Sequence, residues 1–190
     1  MDRYWFFTWT TYGTWLPGDE RGFVSPVEDD TGRWVRHHVP DTPHDADIPA
    51  LKRWAAKSLK CAPVRLVKDQ ADALLAQFQE TAGRRGWLLL AVAVMATHVH
   101  LVVGVEGDPE PSDILRDFKS YGSRALNCRW GRPDSDTWWS ESGSKRKLRD
   151  EAHVLAAIRY VMRQEYPLVL WVAQDYFAEL IDREVGERGA

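Results

Sequence analysis

The sequence predicts an α+β fold built around one antiparallel sheet. Residues 4–11 (YWFFTWTT) combine aromatic side chains with threonines, a composition typical of strands. Two apolar runs, residues 87–95 and 98–105, are separated by only two residues, which indicates neighbouring buried strands. Helices are predicted over residues 69–82, where apolar residues have helical spacing, and over about 111–128. With one more strand these elements give the order βαββαβ, the split βαβ of a ferredoxin-like sheet with its helices on one face.

A loop-rich insertion is expected after the first strand. Residues 13–60 are rich in Gly, Pro and Asp and show no sustained periodicity. Within this insertion we expect a short hairpin over residues 22–35 and a short helix over residues 48–59. A chain of 190 residues can bury a core of its own, so residues 1–190 are expected to form a single domain.

The second half of the chain supplies the remaining elements. Residues 138–140 are the expected edge strand that completes the sheet. Residues 150–165 form a predicted helix rich in Ala, Ile and Val, which stops before Pro167 because the residue preceding a proline disfavours helical geometry. A C-terminal helical tail is expected over residues 174–184.

Charge is unevenly distributed along the chain. The formal net charge is -3, which by itself argues against a nucleic-acid partner. However, residues 1–50 hold four Lys/Arg and nine Asp/Glu, whereas residues 112–149 hold nine Lys/Arg and five Asp/Glu. The basic part ends in a run that is either a solvated loop or a surface that contacts phosphates: Lys145, Arg146, Lys147 and Arg149.

Cysteine usage and hydropathy predict a cytoplasmic protein with no membrane partner. Cys61 and Cys128 lie far apart and form neither a disulfide framework nor a zinc spacing. The first residues lack the basic start and the apolar core of a signal peptide. The longest apolar run, residues 87–96, is about half as long as a membrane span.

The strand over residues 98–105 contains two histidines in an otherwise apolar setting. His98 and His100 are two residues apart, so their side chains project from the same face of the strand. One histidine there could be a satisfied core residue, but two on one face carry a large desolvation cost unless something binds them. A divalent cation bound by both imidazoles would meet that need.

The predicted helix over residues 150–165 holds a second polar pair. Tyr160 and Gln164 are four residues apart and therefore share one helix face. By itself such a pair usually marks the boundary of an amphipathic helix, and that interpretation stays open here.

The ordered combination of these motifs resembles the single-tyrosine HUH transposases, and most closely the REP-associated, IS200-like tyrosine transposases. The resemblance covers the first strand and residues from about 65 to 165. It is carried, in chain order, by the opening WTTYGTWLPG at residues 9–18, His98-Val99-His100, FKSYGSRALN at residues 118–127, Trp138-Trp139, and Tyr160 with Gln164.

The resemblance implies an enzyme with a ferredoxin-like HUH core that cleaves and rejoins single-stranded DNA. Tyr160 would be the nucleophile and would form a 5′-phosphotyrosine intermediate. His98, His100 and Gln164 would bind a divalent cation, Mg²⁺ or Mn²⁺. The implied partners are single-stranded DNA with hairpin structure and a second copy of the chain in a homodimer. A domesticated or inactive relative that only binds DNA is the alternative.

Further residues are candidates for DNA contacts or for a rival role. Tyr121 could replace Tyr160 as nucleophile, but it lacks a glutamine four residues later. Trp138 could stack on an unpaired base or pack in the protein. The remaining candidates are basic residues that could contact phosphates or form a solvated surface: Lys119, Arg124, Arg129, Arg132 and the run Lys145, Arg146, Lys147 and Arg149.

Overall fold

A computed structural model describes residues 1–19, 27–28, 34–35 and 49–174. These residues contain seven strands and four helices. The strands are β1 (Arg3–Thr10), β2 (Val27–Glu28), β3 (Trp34–Val35), β4 (Leu88–Val94), β5 (His98–Val105), β6 (Ser144–Leu148) and β7 (Val169–Val172). The helices are α1 (Pro49–Lys57), α2 (Lys68–Arg85), α3 (Pro111–Trp130) and α4 (Glu151–Met162).

The main sheet has five strands in the order β6-β1-β5-β4-β7, and every neighbouring pair is antiparallel. The inner order β6-β1-β5-β4, with α2 and α3 as connections, is the ferredoxin-like arrangement that the sequence predicts. β7 extends this unit at the β4 edge. The α+β prediction is therefore confirmed, and β1 and β5 lie at the centre of the sheet.

The two faces of the sheet carry separate apolar clusters. Every second residue of β1 is buried, and Trp5, Phe7 and Trp9 pack on the face covered by α2 and α3. Phe6 points to the opposite face, where α4 packs on Val102 and its neighbours. The two connecting helices thus share one face, as predicted, while α4 covers the other.

The helix α4 begins at a defined cap. The side chain of Asp150 accepts a hydrogen bond from the backbone nitrogen of His153 at 2.9 Å, which satisfies one of the free amide groups of the first turn. The same contact lowers the pKa of Asp150 below its usual value. The cap fixes where α4 starts and hence which of its residues face the sheet.

Two elements of the C-terminal half differ from the sequence-based expectation. The edge strand is not residues 138–140 but β6, which contains three of the four residues of the basic run, Lys145, Arg146 and Lys147. Trp139 forms only an isolated bridge with Thr11. Strand β7 was not predicted, because its short apolar stretch follows Pro167 and has no period of its own.

The insertion is described only in part. The predicted hairpin is present as the antiparallel pair β2 and β3, and the predicted helix is present as α1. The rest of residues 20–48 lies outside the described residues, as does the predicted tail helix beyond Gln174. The single domain over residues 1–190 stays a prediction. Among the described helices, none is long and apolar enough to cross a membrane.

The packing of α2 on α3 gives a test of the core. Phe78 is fully buried and its ring meets Phe118 edge to face, with ring centroids 5.7 Å apart. We expect Phe78→Ala to lower the free energy of unfolding by about 3–5 kcal/mol, because it removes a large apolar side chain and leaves a cavity. The exposed neighbour Gln79 provides the control, and Gln79→Ala should change stability by less than about 0.5 kcal/mol. Urea denaturation measures both, and equal midpoints would contradict the packing described.

Candidate active site

The two histidines of β5 project together from the face that α4 covers. The ring centroids of His98 and His100 are 4.8 Å apart and the rings are nearly perpendicular. His100 is buried, with 4% of its surface exposed, and His98 is half-buried. The strand spacing that the sequence predicted therefore brings both imidazoles to one place.

A threonine hydroxyl lies next to the Nδ1 atom of each histidine. Thr8 Oγ1 is 2.8 Å from His100 Nδ1, and Thr97 Oγ1 is 3.0 Å from His98 Nδ1. A neutral imidazole that donates from Nδ1 has its lone pair on Nε2. Both rings can therefore bind a metal through Nε2.

Burial determines the protonation state of His100. Desolvation, together with the nearby His98, lowers the pKa of His100 to about 4, although a hydrogen bond with the Gln164 side chain opposes the shift. The ring is consequently neutral near pH 7. A neutral imidazole is the form that binds a metal ion.

Tyr160 meets the histidines from α4. Its ring centroid is 5.3 Å from that of His100, and half of the residue, 51%, is exposed. Phe6 of β1 stacks on His100 at 5.6 Å and meets Tyr160 edge to face at 5.7 Å. Phe6 contacts both rings of the site, but its sequence position does not single it out, because an aromatic residue in a strand usually signals core packing.

Gln164 lies just beyond the end of α4 and turns back toward the site. Helix α4 ends at Met162, earlier than predicted, and the Gln164 side chain donates to the backbone oxygen of Tyr160 at 3.0 Å. The same side chain hydrogen-bonds to His100. Gln164 thereby connects the tyrosine to the histidine strand.

The donor set of the site suits a divalent cation that also binds substrate. Among residues 1–19, 27–28, 34–35 and 49–174, no group of three or more His, Cys, Asp or Glu could hold a metal ion. Two imidazoles and the amide oxygen of Gln164 are neutral ligands, so they leave the full charge of a cation for phosphate oxygens. His98, His100 and Gln164 thus fit a metal whose coordination DNA would complete.

The basic run alternates between the two faces of the sheet. In the β1–β6 register Arg146 lies opposite Phe6, and Lys147 lies opposite Trp5. Directly opposed residues share a face, so Arg146 projects on the side of the histidines. Lys147 projects on the other side, where its Nζ lies 5.9 Å from the Trp5 ring. By the same alternation Lys145 points away from the site, and the exposed Arg149 follows the strand.

Two of the DNA-binding candidates have packing roles in this structure. Lys119 Nζ donates to the backbone oxygens of Ser140, Glu141 and Ser142 at 2.6, 3.1 and 3.2 Å. Desolvation lowers the pKa of Lys119 to about 8. Trp138 is 5% exposed and its Nε1 donates to an asparagine side chain at 2.8 Å, which leaves little of the ring open to a base.

The other candidates lie on or after α3, away from the histidines. Tyr121 is on α3, which packs on the opposite face of the sheet, and Arg124 lies 5.1 Å over its ring. Arg129 is exposed beside Trp130, and Arg132 pairs with Asp136 at 2.8 Å. The structure therefore brings together His98, His100, Tyr160 and Gln164, and separates Tyr121 from them.

Comparison with protein families gives the assignment. A family model described as "Transposase IS200 like" matches residues 61–164, more than half of the chain. This chain belongs to the IS200-like transposase family. The matched range includes the histidine strand, the tyrosine helix and Gln164, so the site lies within the part that the family shares.

Two solved structures resemble this IS200-like transposase. One is a REP-associated tyrosine transposase bound to a REP hairpin, with 14% identity and a TM-score of 0.46, covering 83% of this chain. This chain spans 63% of the length of that protein. The other is a candidate transposase from Deinococcus radiodurans R1, with 16% identity and a TM-score of 0.46, covering 87% of this chain and 93% of that one. A comparison with curated proteins gave no match.

The buried neutral His100 predicts a pH dependence of stability. Because its pKa is about 4 in the folded metal-free protein and 6.5 as the ordinary value, only the unfolded chain binds a proton there between these pH values. The contribution of His100 to the free energy of unfolding is therefore present above pH 6.5 and is lost as the pH falls toward 4. The full loss is on the order of 3 kcal/mol.

Urea denaturation of the metal-free protein between pH 7 and pH 4 measures this dependence. The variant His100→Gln removes the titrating group, so its stability should fall less steeply over the same range. Parallel curves for the two proteins would contradict the assignment of a buried neutral imidazole.

Proposed function

We propose that this IS200-like transposase is a metal-dependent enzyme that nicks single-stranded DNA and rejoins it through Tyr160. The observation that carries the proposal is the convergence of Tyr160, His100 and Gln164. The tyrosine ring lies 5.3 Å from the His100 ring, and Gln164 hydrogen-bonds both to the tyrosine backbone and to His100. A nucleophile thus stands beside a set of metal ligands.

The ligand set has a defined task in the proposal. His98, His100 and Gln164 would hold Mg²⁺ or Mn²⁺, and the bound cation would supply positive charge to neutralise the scissile phosphate and orient it for attack. The buried His100 is neutral near pH 7, so it is ready to act as a ligand. Phe6, packed against both rings, holds His100 and Tyr160 at a fixed separation.

Tyr160 has the exposure that a nucleophile for a polymer needs. About half of the residue is exposed, so a DNA strand can reach its hydroxyl without a rearrangement of α4. In the proposed step the Tyr160 oxygen bonds to phosphorus and gives up its proton, while the bond to the 3′ oxygen breaks and that oxygen takes up a proton. The 5′-phosphotyrosine remains a diester, so attack by a 3′-hydroxyl reverses the step and joins DNA.

The substrate class follows from the family resemblance and from the charge of the site face. We propose hairpin-bearing single strands, the substrates implied by the resemblance to REP-associated tyrosine transposases. Arg146 is the residue of the basic run that lies opposite Phe6, and it is exposed. A guanidinium there is suited to bind a phosphate of the strand that enters the site. The proposal includes a homodimer, as the resemblance implies.

Substitution of Tyr160 tests the nucleophile. Labelled hairpin-bearing single-stranded DNA incubated with the protein and Mn²⁺ should give a covalent protein–DNA adduct on a denaturing gel. Tyr160→Phe removes the attacking oxygen and should abolish the adduct, as should chelation of the metal with EDTA. Tyr121→Phe is the matched control and should leave the adduct in place.

The same experiment separates the alternatives. An adduct that survives Tyr160→Phe and disappears in Tyr121→Phe would make the nucleophile assignment wrong. Binding of the DNA without any adduct would instead identify a DNA-binding relative without turnover.

The two faces of β6 provide a paired test of DNA contact. Arg146→Ala should weaken binding of single-stranded DNA by about tenfold, because it removes a phosphate contact beside the site. Lys147→Ala removes the same charge from the neighbouring position on the opposite face, and we expect a smaller loss, about threefold or less. Fluorescence anisotropy at one fixed salt concentration measures both, and equal losses would contradict a DNA path over the histidine face.

A further inference from the structure

Two threonines of β1 lie side by side on the histidine face but have different partners. In the β1–β5 register Thr8 lies opposite His100, and Thr10 lies opposite His98. Thr8 Oγ1 is 2.8 Å from His100 Nδ1. Thr10 Oγ1 instead pairs with Ser140 Oγ at 2.8 Å. The contact of Thr8 is therefore specific, and is not a general property of threonines on this strand.

We propose that Thr8 is a positioning residue for the metal site: its hydroxyl accepts the Nδ1–H of His100 and holds the Nε2 lone pair toward the cation. The proposal rests on the proposed metal-dependent function. A histidine that binds a metal through one ring nitrogen usually donates from the other, and the acceptor fixes both the tautomer and the orientation of the ring. Thr8 stands where that acceptor is needed.

Phe6 and Thr8 contact different parts of the His100 ring. Phe6 stacks on the imidazole at 5.6 Å and restricts the plane of the ring. Stacking does not determine which nitrogen carries the proton, because the apolar ring neither donates nor accepts. The hydroxyl of Thr8 can accept a hydrogen bond from Nδ1–H, and it lies beside a ring that is 4% exposed, where water is a poor substitute.

His98 also has a threonine hydroxyl beside its Nδ1 atom, and this threonine lies outside β1. Thr97 Oγ1 lies 3.0 Å from His98 Nδ1, and Thr97 belongs to the connection between β4 and β5. Two independent hydroxyls thus contact the same ring atom of the two imidazoles. Chance packing of one threonine would not explain the same contact at both histidines. The repetition favours a common requirement, which is that Nε2 of each ring is directed to one ligand.

The test measures Mn²⁺ affinity of the full chain by isothermal titration calorimetry, without DNA. Thr8→Val keeps the shape of the side chain and removes the hydroxyl, so Mn²⁺ should bind about 10–100-fold more weakly. Thr8→Ser restores a hydroxyl and should return the affinity to within about threefold of the original protein. Thr10→Val is the matched control, because its hydroxyl contacts Ser140, and should leave the affinity unchanged.

A second measurement separates positioning from a structural effect. ¹⁵N NMR of the histidine side chains reports which ring nitrogen of His100 carries the proton, and Thr8→Val should change that distribution in the metal-free protein while Thr10→Val does not. Unchanged Mn²⁺ affinity in a folded Thr8→Val protein would overturn the proposal, as would equal losses in Thr8→Val and Thr10→Val. Loss of Mn²⁺ binding with Thr8→Val in a protein that never forms a DNA adduct would refute the proposed function and leave the role of Thr8 intact.

Discussion

Along the antiparallel pairing of β1 with β5, each residue of one strand has a fixed partner on the other. This register places Thr8 opposite His100 and brings Phe6 onto the same face two residues away. A slip by one residue would turn His98 and His100 into the apolar cluster under α2 and α3 and move the core residues of the strand to the face that α4 covers. The positions of His98 and His100, the contact of Thr8 with His100 and the contact of Phe6 with Tyr160 all depend on this one alignment.

The register is itself maintained by the alternation of β1. Trp5, Phe7 and Trp9 pack into the cluster beneath α2 and α3, so the intervening residues must face α4. Large buried aromatic side chains make the alternative pairing costly. The core on one side of the sheet therefore determines the geometry of the site on the other, although the two faces share no side chain.

Much of this arrangement could be predicted from local sequence. The apolar runs gave β4 and β5 to within a residue or two, because continuous Val, Leu and Ala between helices are typical of buried strands. The positions of His98, His100 and Tyr160 relative to one another followed from strand and helix periodicity together with the family resemblance. The helix spacing of Tyr160 and Gln164 held only approximately, since α4 ends at Met162 and a turn returns Gln164 to the site.

The features of the site and the sheet that could not be predicted depend on contacts between segments that are distant in the sequence. Phe6 and Thr8 look like ordinary strand residues until the register shows their partners. The basic run of β6 lacks apolar alternation, so its strand character comes from pairing with β1 and not from its own composition. Lys119 appears as a solvated cation in sequence, whereas three backbone oxygens of a distant loop surround its ammonium group.

The position of β6 also bears on how the protein meets other molecules. In the part of the chain that the structure describes, β6 is the last strand of the sheet on one side, so one row of its backbone groups has no strand partner there. Antiparallel addition of a second β6 would place its Lys and Arg side chains against those of the first, and like charges in such close register repel. The positive charge of β6 therefore opposes aggregation by addition of further β-strands at this edge. The same charge does not repel a polyanion.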